Sequence, residues 1–411
     1  MLIDVFKLLS SSVYRILVSF FSTAILAQQL GAEQRGDFAL IISYASLISI
    51  VSSLGAPNFF SVNVASGKID KYDVAGIVKY FGWFFVFLTA GFCSILVYCK
   101  ELDFLTGIVF FVLCLSMLIN TNVREILKAR SKFGRVAKSI ALEVTVVLIG
   151  FVSLISHLNV FNAIVISLMA SLVSTIYMFK TFNYKDIIET LSVNKYPKIN
   201  GIKSFTLISI LSCVSLQAPV VMLEIFDVKK SEIGVFAVCY ALIMQLEVLP
   251  TILANVVQTK YLSKTNKVPL HIVIRFFTTV FACIAAFTIL LVHLLYFPLI
   301  GNSYENATLI YAVLTISSII GFPISLINIK FYSAESLNRV TVPLFLRTSV
   351  LLIAIAALVP KFGVLGVCYA LIISKFSRSF TTINAYLKDS KLRWFDMFPQ
   401  FNDYNEFRKI R

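Results

Sequence analysis

The chain has 411 residues, of which 58% are hydrophobic and 14% are charged, and its formal net charge is +15. Soluble domains carry about a quarter charged residues, so these side chains could not cover a soluble enzyme of this size, and 37 Phe residues exclude a disordered chain. The composition predicts a membrane protein. In such a protein the excess of Lys and Arg indicates which loops are cytoplasmic, rather than a nucleic-acid-binding surface.

The predicted elements are apolar runs, each close to the roughly 20 residues that a helix needs to cross a bilayer. In chain order they are 8–27, 38–59, 80–99, 102–121, 140–158, 160–179, 205–223, 234–257, 276–297, 307–329, 342–359 and 363–383. Helices are expected because lipid offers no partner for backbone N–H and C=O groups. The sequence thus predicts an all-α polytopic membrane protein with about twelve transmembrane helices.

The longest polar break, 181–204, divides these runs into two sets of six. Gly-Asp-Phe-Ala at 36–39 and Gly-Val-Phe-Ala at 234–237 lie near the starts of matching runs, at an offset of 198 residues, which indicates an internal repeat. We therefore predict an N-terminal six-helix lobe over 1–180, a cytoplasmic loop over 181–204, a C-terminal six-helix lobe over 205–386 and a basic cytoplasmic tail over 387–411.

The Lys and Arg residues of the loops indicate the orientation of the chain. If the N-terminus lies in the cytoplasm and the loops alternate sides, most of the 36 Lys and Arg fall on the cytoplasmic side. The opposite side holds Arg35, Lys100, Lys229, Lys230 and Lys361. Because cytoplasmic loops carry the excess of basic residues, both termini are predicted to be cytoplasmic. The basic tail is then expected to contact anionic membrane lipids.

Sequence signatures of enzymes and cofactor sites are missing. The chain contains no GxxxxGK[ST] loop, no HExxH motif and no CxxC pair, and its three His residues are far apart. The outer loops are about ten residues or shorter, the length of simple helix connections, so they offer little room for catalytic groups. We therefore predict a transporter rather than an enzyme, with no metal, no cofactor and no nucleic-acid partner.

Charged residues within the predicted spans are the candidate functional residues, because an ionisable group in the membrane is costly. They are Arg15, Glu143, Glu247, Arg347, Lys375 and Arg378. Four cations against two acids suit an anionic substrate such as a diphosphate head group. We predict that Arg15, Arg347, Lys375 and Arg378 bind the substrate. Glu247 lies roughly 18–20 Å from the outer end of its helix and is the predicted ion-coupling acid.

Simpler interpretations of these charges remain open. Arg15, Arg347 and Arg378 could extend their side chains to the membrane interface. Glu143 lies within one turn of a helix start and could be an interfacial group. Glu247 and Lys375 could form a structural ion pair between the eighth and the twelfth runs.

Three segments of the chain resemble the motifs of one family of membrane proteins. The segment 26–39, Leu-Ala-Gln-Gln-Leu-Gly-Ala-Glu-Gln-Arg-Gly-Asp-Phe-Ala, resembles the junction of that family's first two helices, Ala-Arg-x-Leu-Gly-Pro-Glu-x-x-Gly-x-Tyr-Ala. The segment 300–307, Ile-Gly-Asn-Ser-Tyr-Glu-Asn-Ala, resembles Phe-Gly-x-x-Tyr-x-x-Ala. The segment 360–366, Pro-Lys-Phe-Gly-Val-Leu-Gly, is similar to Pro-x-Phe-Gly-x-x-Gly. The motifs occur in the family's order and spacing.

The resemblance implies an O-antigen flippase of the multidrug/oligosaccharidyl-lipid/polysaccharide exporter superfamily, with two six-helix lobes in a V around a central cavity. Such a protein moves an undecaprenyl-diphosphate-linked repeat unit from the cytoplasmic to the periplasmic leaflet of the bacterial inner membrane by alternating access. The repeat unit serves lipopolysaccharide or another surface polysaccharide, so the polysaccharide polymerase and chain-length machinery are implied partners. Arg15 lies on the helix where related flippases carry cavity arginines.

One departure from the family concerns ion coupling. Many relatives carry an Asp–Arg pair late in the seventh helix, where this chain has Gln217, Ala218 and Pro219. Two other functions stay open. A drug/cation antiporter of the same superfamily would need a deep acid in the first lobe, and an integral-membrane polysaccharide polymerase or ligase would need a long outer loop with catalytic side chains.

Overall fold

A computed structural model describes residues 2–65, 71–99, 103–130, 132–180, 202–250, 253, 269–301, 304, 307–333 and 338–398. These residues form helices joined by turns, and no strand occurs among them. Ten of the described helices are long and apolar enough to cross a membrane. Large apolar side chains such as Trp83, Phe87 and Phe104 are exposed on their outer surfaces, as expected for helices that face lipid. The predicted all-α polytopic fold is confirmed.

The helices are named here in chain order. They are α1 (Leu2–Ser52), α2 (Ala56–Ala65), α3 (Lys71–Cys99), α4 (Phe104–Ala129), α5 (Phe133–Ser153), α6 (Val160–Phe179), α7 (Ile202–Ile225), α8 (Lys230–Leu246), α9 (Leu270–Leu291), α10 (Phe297–Ile300), α11 (Ala307–Ser333) and α12 (Asn338–Ser390). A π-helical turn, Val292–Tyr296, joins α9 to α10, and short 3₁₀ turns follow α5 and α12.

Two of these helices each contain two predicted spans. Helix α12 has 53 residues, about 80 Å at 1.5 Å per residue, which is more than twice the roughly 30 Å of a bilayer core. Gly363 interrupts it with a φ of +53°, and Arg339 near its start pairs with Asp389 near its end, so its two limbs are antiparallel. Gly31 interrupts α1 in the same way with a φ of +67°. Only glycine adopts such angles readily.

The predicted run 38–59 is interrupted in the structure. Helix α1 ends at Ser52, and the chain turns through Gly55, which has a φ of +72°. A Cβ atom at Gly55 would lie 2.5 Å from the backbone nitrogen of Thr206 in α7. The Thr206 hydroxyl donates to the carbonyl oxygen of Leu54 at 2.6 Å. The apolar composition predicted one helix, whereas this close approach of α7 requires a turn at the glycine.

Side-chain caps explain where two other helices begin. The carboxylate of Asp103 accepts a hydrogen bond from the backbone N–H of Thr106 at 3.1 Å at the start of α4. The amide oxygen of Asn159 accepts one from the N–H of Asn162 at 2.8 Å at the start of α6. Each cap satisfies a backbone donor that has no partner within its helix.

The chain separates into two compact units, Met1–Gln217 and Ala218–Arg411, with the division inside α7. The first unit has an apolar core to which α1, α3, α4 and α6 contribute. The predicted lobe boundaries remain predictions, because residues 181–201 of the inter-lobe loop lie outside the described residues. Of the predicted tail over 387–411, the first residues continue α12 to Ser390, and 399–411 lie outside the described residues.

Candidate functional site

The second unit contains a carboxylate at a position where a neighbouring cation would stabilise it. Glu247 follows the last residue of α8, where the helix macrodipole places partial negative charge and disfavours an unpaired acid. Lys375, on the second limb of α12, donates from Nζ to Oε1 of Glu247. The side chain of Lys375 is 9% exposed and that of Glu247 is 26% exposed. The ion pair is therefore largely buried within the second unit.

A second cation, Arg347, faces the same carboxylate. Arg347 lies on the first limb of α12, is buried, and interacts electrostatically with Glu247. Its Nε–H is buried and makes no hydrogen bond within the described part of the chain. Gly321 of α11 lies next to the side chain of Lys375, since a Cβ atom there would make an ordinary contact of 3.4 Å with Cδ of the lysine. The limbs of α12 thus bring two cations to one acid.

Arg378 extends the positive charge by one turn. It lies three residues after Lys375, on the same helix face, is half-buried, and interacts electrostatically with Lys375. The two buried cations, Arg347 and Lys375, outnumber the carboxylate of Glu247 by one positive charge in an apolar surrounding, where charges interact strongly. Such a cluster favours an added anion, and the planar guanidinium group can donate two parallel hydrogen bonds to a phosphate.

The structure brings together four of the five residues predicted for the site. Glu247, Arg347, Lys375 and Arg378 lie in one cluster of the second unit, whereas Arg15 belongs to the first unit. The contact between Glu247 and Lys375 matches the alternative interpretation of a structural ion pair. Arg347 is the buried cation in excess of that pair.

The first unit contains a corresponding arrangement on α4, α5 and α6. Arg124 of α4 forms an ion pair with Glu143 of α5, and its Nη2 donates to the hydroxyl of Ser174 in α6 at 3.2 Å. Polar contacts continue along α4 and α6, where the hydroxyl of Ser116 donates to that of Ser171 at 2.7 Å. These contacts join α4 and α6 through polar groups within the unit, while the buried Nε of Arg124 makes no hydrogen bond among the described residues.

Arg15 lies beside this pair. It is exposed and interacts electrostatically with both Arg124 and Glu143. The preceding residue, Tyr14, shares a hydrogen bond of 2.8 Å with Thr145 of α5, which positions α1 against α5. Two arginines with one glutamate give this group a net positive charge, as in the second unit.

Arg124 is a candidate residue that sequence reasoning did not select. The predicted run 102–121 ended before it and assigned it to a loop, whereas α4 continues to Ala129. Val123, Ile126 and Leu127 are buried and extend the apolar face with helical spacing. That spacing was the signal from which the longer helix could have been predicted.

The described residues offer no group of three or more His, Cys, Asp and Glu side chains that could hold a metal ion. Glu143 and Glu247 are each paired with a cation. The chemistry available in both groups is therefore the binding of an anion by guanidinium and ammonium donors.

Solved transporter structures share this fold. An inward-facing multidrug resistance MATE family transporter of the MOP superfamily aligns with a TM-score of 0.64 and 15% identity, over 94% of this chain and 98% of its own. The lipid II flippase MurJ, in an inward closed conformation, aligns with a TM-score of 0.67 and 15% identity, over 98% and 89%. A eukaryotic MATE transporter aligns with a TM-score of 0.59 and 10% identity, over 98% and 100%. No family model and no curated protein matches the sequence.

The chain therefore has the fold of MOP-superfamily transporters, as the motif resemblance predicted, and it is a multi-pass membrane protein. At these identities the likeness establishes the fold alone. The substrate must be argued from the charged residues.

Proposed function

We propose that this protein is a flippase that moves an undecaprenyl-diphosphate-linked oligosaccharide from the cytoplasmic to the periplasmic leaflet of the bacterial inner membrane by alternating access. The oligosaccharide is the repeat unit of O-antigen or of another surface polysaccharide. Both termini lie in the cytoplasm, and the polysaccharide polymerase and chain-length machinery act on the translocated product. The protein transports its substrate and catalyses no covalent step.

The observation that carries this proposal is the excess of buried cations around Glu247. Arg347 remains after Lys375 is paired, and its buried Nε–H has no hydrogen-bond partner among the described residues. A buried donor without a partner costs about 1–3 kcal/mol. The phosphate oxygens of a lipid diphosphate supply such a partner, and their charge offsets that of the arginines.

Each predicted residue then has a distinct role. Arg347, Lys375 and Arg378 bind the diphosphate, and Arg15 is the substrate-binding cation of the first unit. The substrate phosphate competes with the carboxylate of Glu247 for Lys375. When Lys375 binds the phosphate, Glu247 is released from the lysine and can take up a coupling ion.

A drug/cation antiporter is the second candidate, and the likeness to MATE transporters favours it. It requires an acid that binds a cation in the first unit. Glu143 is the acid available in the described part of that unit's helix α5, and it is paired with Arg124. A carboxylate neutralised by arginine binds other cations weakly, so the geometry favours the anionic substrate. The proposed polymerase or ligase activity has no further support from the structure.

Arg347→Gln tests the proposal directly. We expect surface polysaccharide to fall by about 10-fold to 100-fold, the effect of losing a charge-assisted hydrogen bond worth about 1.5–3 kcal/mol. Arg347→Lys should give an intermediate level, because it keeps the charge but cannot donate two parallel bonds. The assay is quantitative staining of surface polysaccharide, normalised to the amount of the protein in the membrane.

Lys361→Gln is the matched control, since Lys361 is exposed near the kink at Gly363 and lies outside the cluster. It should export at the wild-type level. Wild-type export by Arg347→Gln would remove the main support for the cationic site.

A further inference from the structure

After α12 the chain folds back against the helix. The indole Nε1 of Trp394 donates to the amide oxygen of Asn384 at 3.0 Å, and the indole ring stacks on Phe380 with 5.4 Å between ring centroids. The buried Arg275, at the start of α9, donates from Nη1 to the carbonyl oxygen of Asp396 at 3.1 Å. Contacts to two helices thus fix the position of this short segment.

The segment and the last turns of α12 line an open surface groove of about 610 Å³. Its lining includes Leu387, Lys388, Leu392, Arg393, Trp394 and Phe395. The lining therefore combines two cations with a wall of leucine and aromatic side chains, and the groove is wide enough for a small amphiphilic ligand.

The cations of the groove are not neutralised within the described residues. Asp389 pairs with Arg339, and the carboxylate of Asp396 accepts the backbone N–H of Arg393 at 2.8 Å. Asp389 is thus neutralised by Arg339, whereas Asp396 keeps its charge beside the groove. The described residues provide no ion pair for the side chains of Lys388 and Arg393, so the two cations outnumber the one adjacent acid, and the groove has a net positive charge that an anion can compensate.

The groove lies at the level expected for lipid head groups. The second limb of α12 runs from Gly363 to Ser390, which is about 40 Å at 1.5 Å per residue against roughly 30 Å for a bilayer core. Phe395 and Phe398, just beyond the helix, are 80% and 60% exposed. Exposed aromatic rings next to basic side chains are typical of a segment that lies in the membrane interface.

We propose that this groove binds an anionic phospholipid of the surrounding membrane. Lys388 and Arg393 contact the head-group phosphate, while Leu387, Leu392 and Trp394 contact the glycerol and upper acyl chains. The site is separate from the cluster around Glu247 and does not depend on the transported substrate. Occupancy of the site at the end of α12 therefore depends on the anionic lipid content of the leaflet.

The test uses Trp394 as a reporter in the full-length protein. The chain has two Trp residues, and Trp83 is exposed on α3, so Trp83→Phe leaves a single tryptophan in the groove. The purified variant is reconstituted into phosphatidylcholine vesicles that contain a small fraction of phosphatidylglycerol with brominated acyl chains. Bromine quenches a neighbouring indole, so we expect quenching several times greater than that from the same fraction of brominated phosphatidylcholine.

Removing the two cations should remove the preference. In the Trp83→Phe background, Lys388→Gln/Arg393→Gln should lower the affinity for brominated phosphatidylglycerol by about 25-fold, since each basic residue near an anionic surface contributes about a factor of five, and quenching should fall to the level given by brominated phosphatidylcholine. The matched control is Lys229→Gln/Lys361→Gln, which removes two exposed lysines from the opposite end of the second unit. This control should keep the preference for brominated phosphatidylglycerol, which distinguishes an effect of the groove from an effect of the overall positive charge of the protein.

Equal quenching of Trp394 by the two brominated lipids would overturn the proposal, as would an unchanged preference after Lys388→Gln/Arg393→Gln. If the double variant does not fold, native mass spectrometry of the wild-type protein from mixed lipid decides. Retention of phosphatidylglycerol over phosphatidylcholine supports the site, and equal retention overturns it.

Discussion

Lys375→Ala is expected to abolish export of the surface polysaccharide and also to destabilise the protein. The substitution removes the ammonium that forms the ion pair with Glu247 at the carboxyl end of α8, inside the second unit. Breaking a buried ion pair by removing one partner costs about 3–5 kcal/mol. Lower membrane levels alone could then explain a loss of export, so the single variant does not separate a structural role from substrate binding.

The double variant Glu247→Gln/Lys375→Met separates these two roles. It removes both charges at nearly constant volume, and such replacement of a buried pair is often neutral or stabilising. We expect normal protein levels and a thermal midpoint close to that of the wild type, with export still abolished because both the phosphate-binding ammonium and the coupling acid are missing. Wild-type export by the double variant would show that Lys375 serves only to neutralise Glu247.

Gly55→Ala is expected to prevent accumulation of folded protein. Gly55 has a φ of +72°, and an added Cβ atom would lie 2.5 Å from the nitrogen of Thr206, a backbone atom that cannot rotate away. The strained backbone angle alone costs about 1–2 kcal/mol, and displacement of α7 adds a larger cost. The expected result is a loss of the monodisperse peak in size-exclusion chromatography of the detergent-solubilised protein.

Gly31→Ala is the matched control for this effect. Gly31 has a similar φ of +67°, but nothing lies within 4 Å of where its Cβ atom would be. Its substitution should cost only the backbone strain of about 1–3 kcal/mol, and the protein should remain monodisperse with a lower thermal midpoint. Equal behaviour of the two variants would contradict the assigned packing of α7 against Gly55.

Composition and apolar periodicity were sufficient to predict the membrane-spanning, all-helical fold. The motif segments around Gly31 and Gly363 also lie where the long helices α1 and α12 are interrupted. The break at Gly55 was not predictable, because it results from the approach of Thr206, which is about 150 residues away in the chain. Long-range contacts of this kind leave no local pattern.

The candidate site could be predicted in part. The cost of burying charge in lipid selected Arg347, Lys375 and Glu247 as residues, and the pairing of the last two was one of the open interpretations. The link between Arg124 and Glu143 was missed because α4 was predicted to end too early. Helix ends are difficult to assign when apolar spacing continues into a basic segment.

The central claim is that this protein translocates a lipid-linked oligosaccharide, and a strain that lacks the gene tests it most directly. Undecaprenyl-linked glycans are extracted and surface polysaccharide is stained in parallel. We expect single repeat units to accumulate on the lipid carrier while the surface polymer is lost. Unchanged surface and lipid-linked glycans, together with a new sensitivity to drugs, would contradict the claim and favour the antiporter.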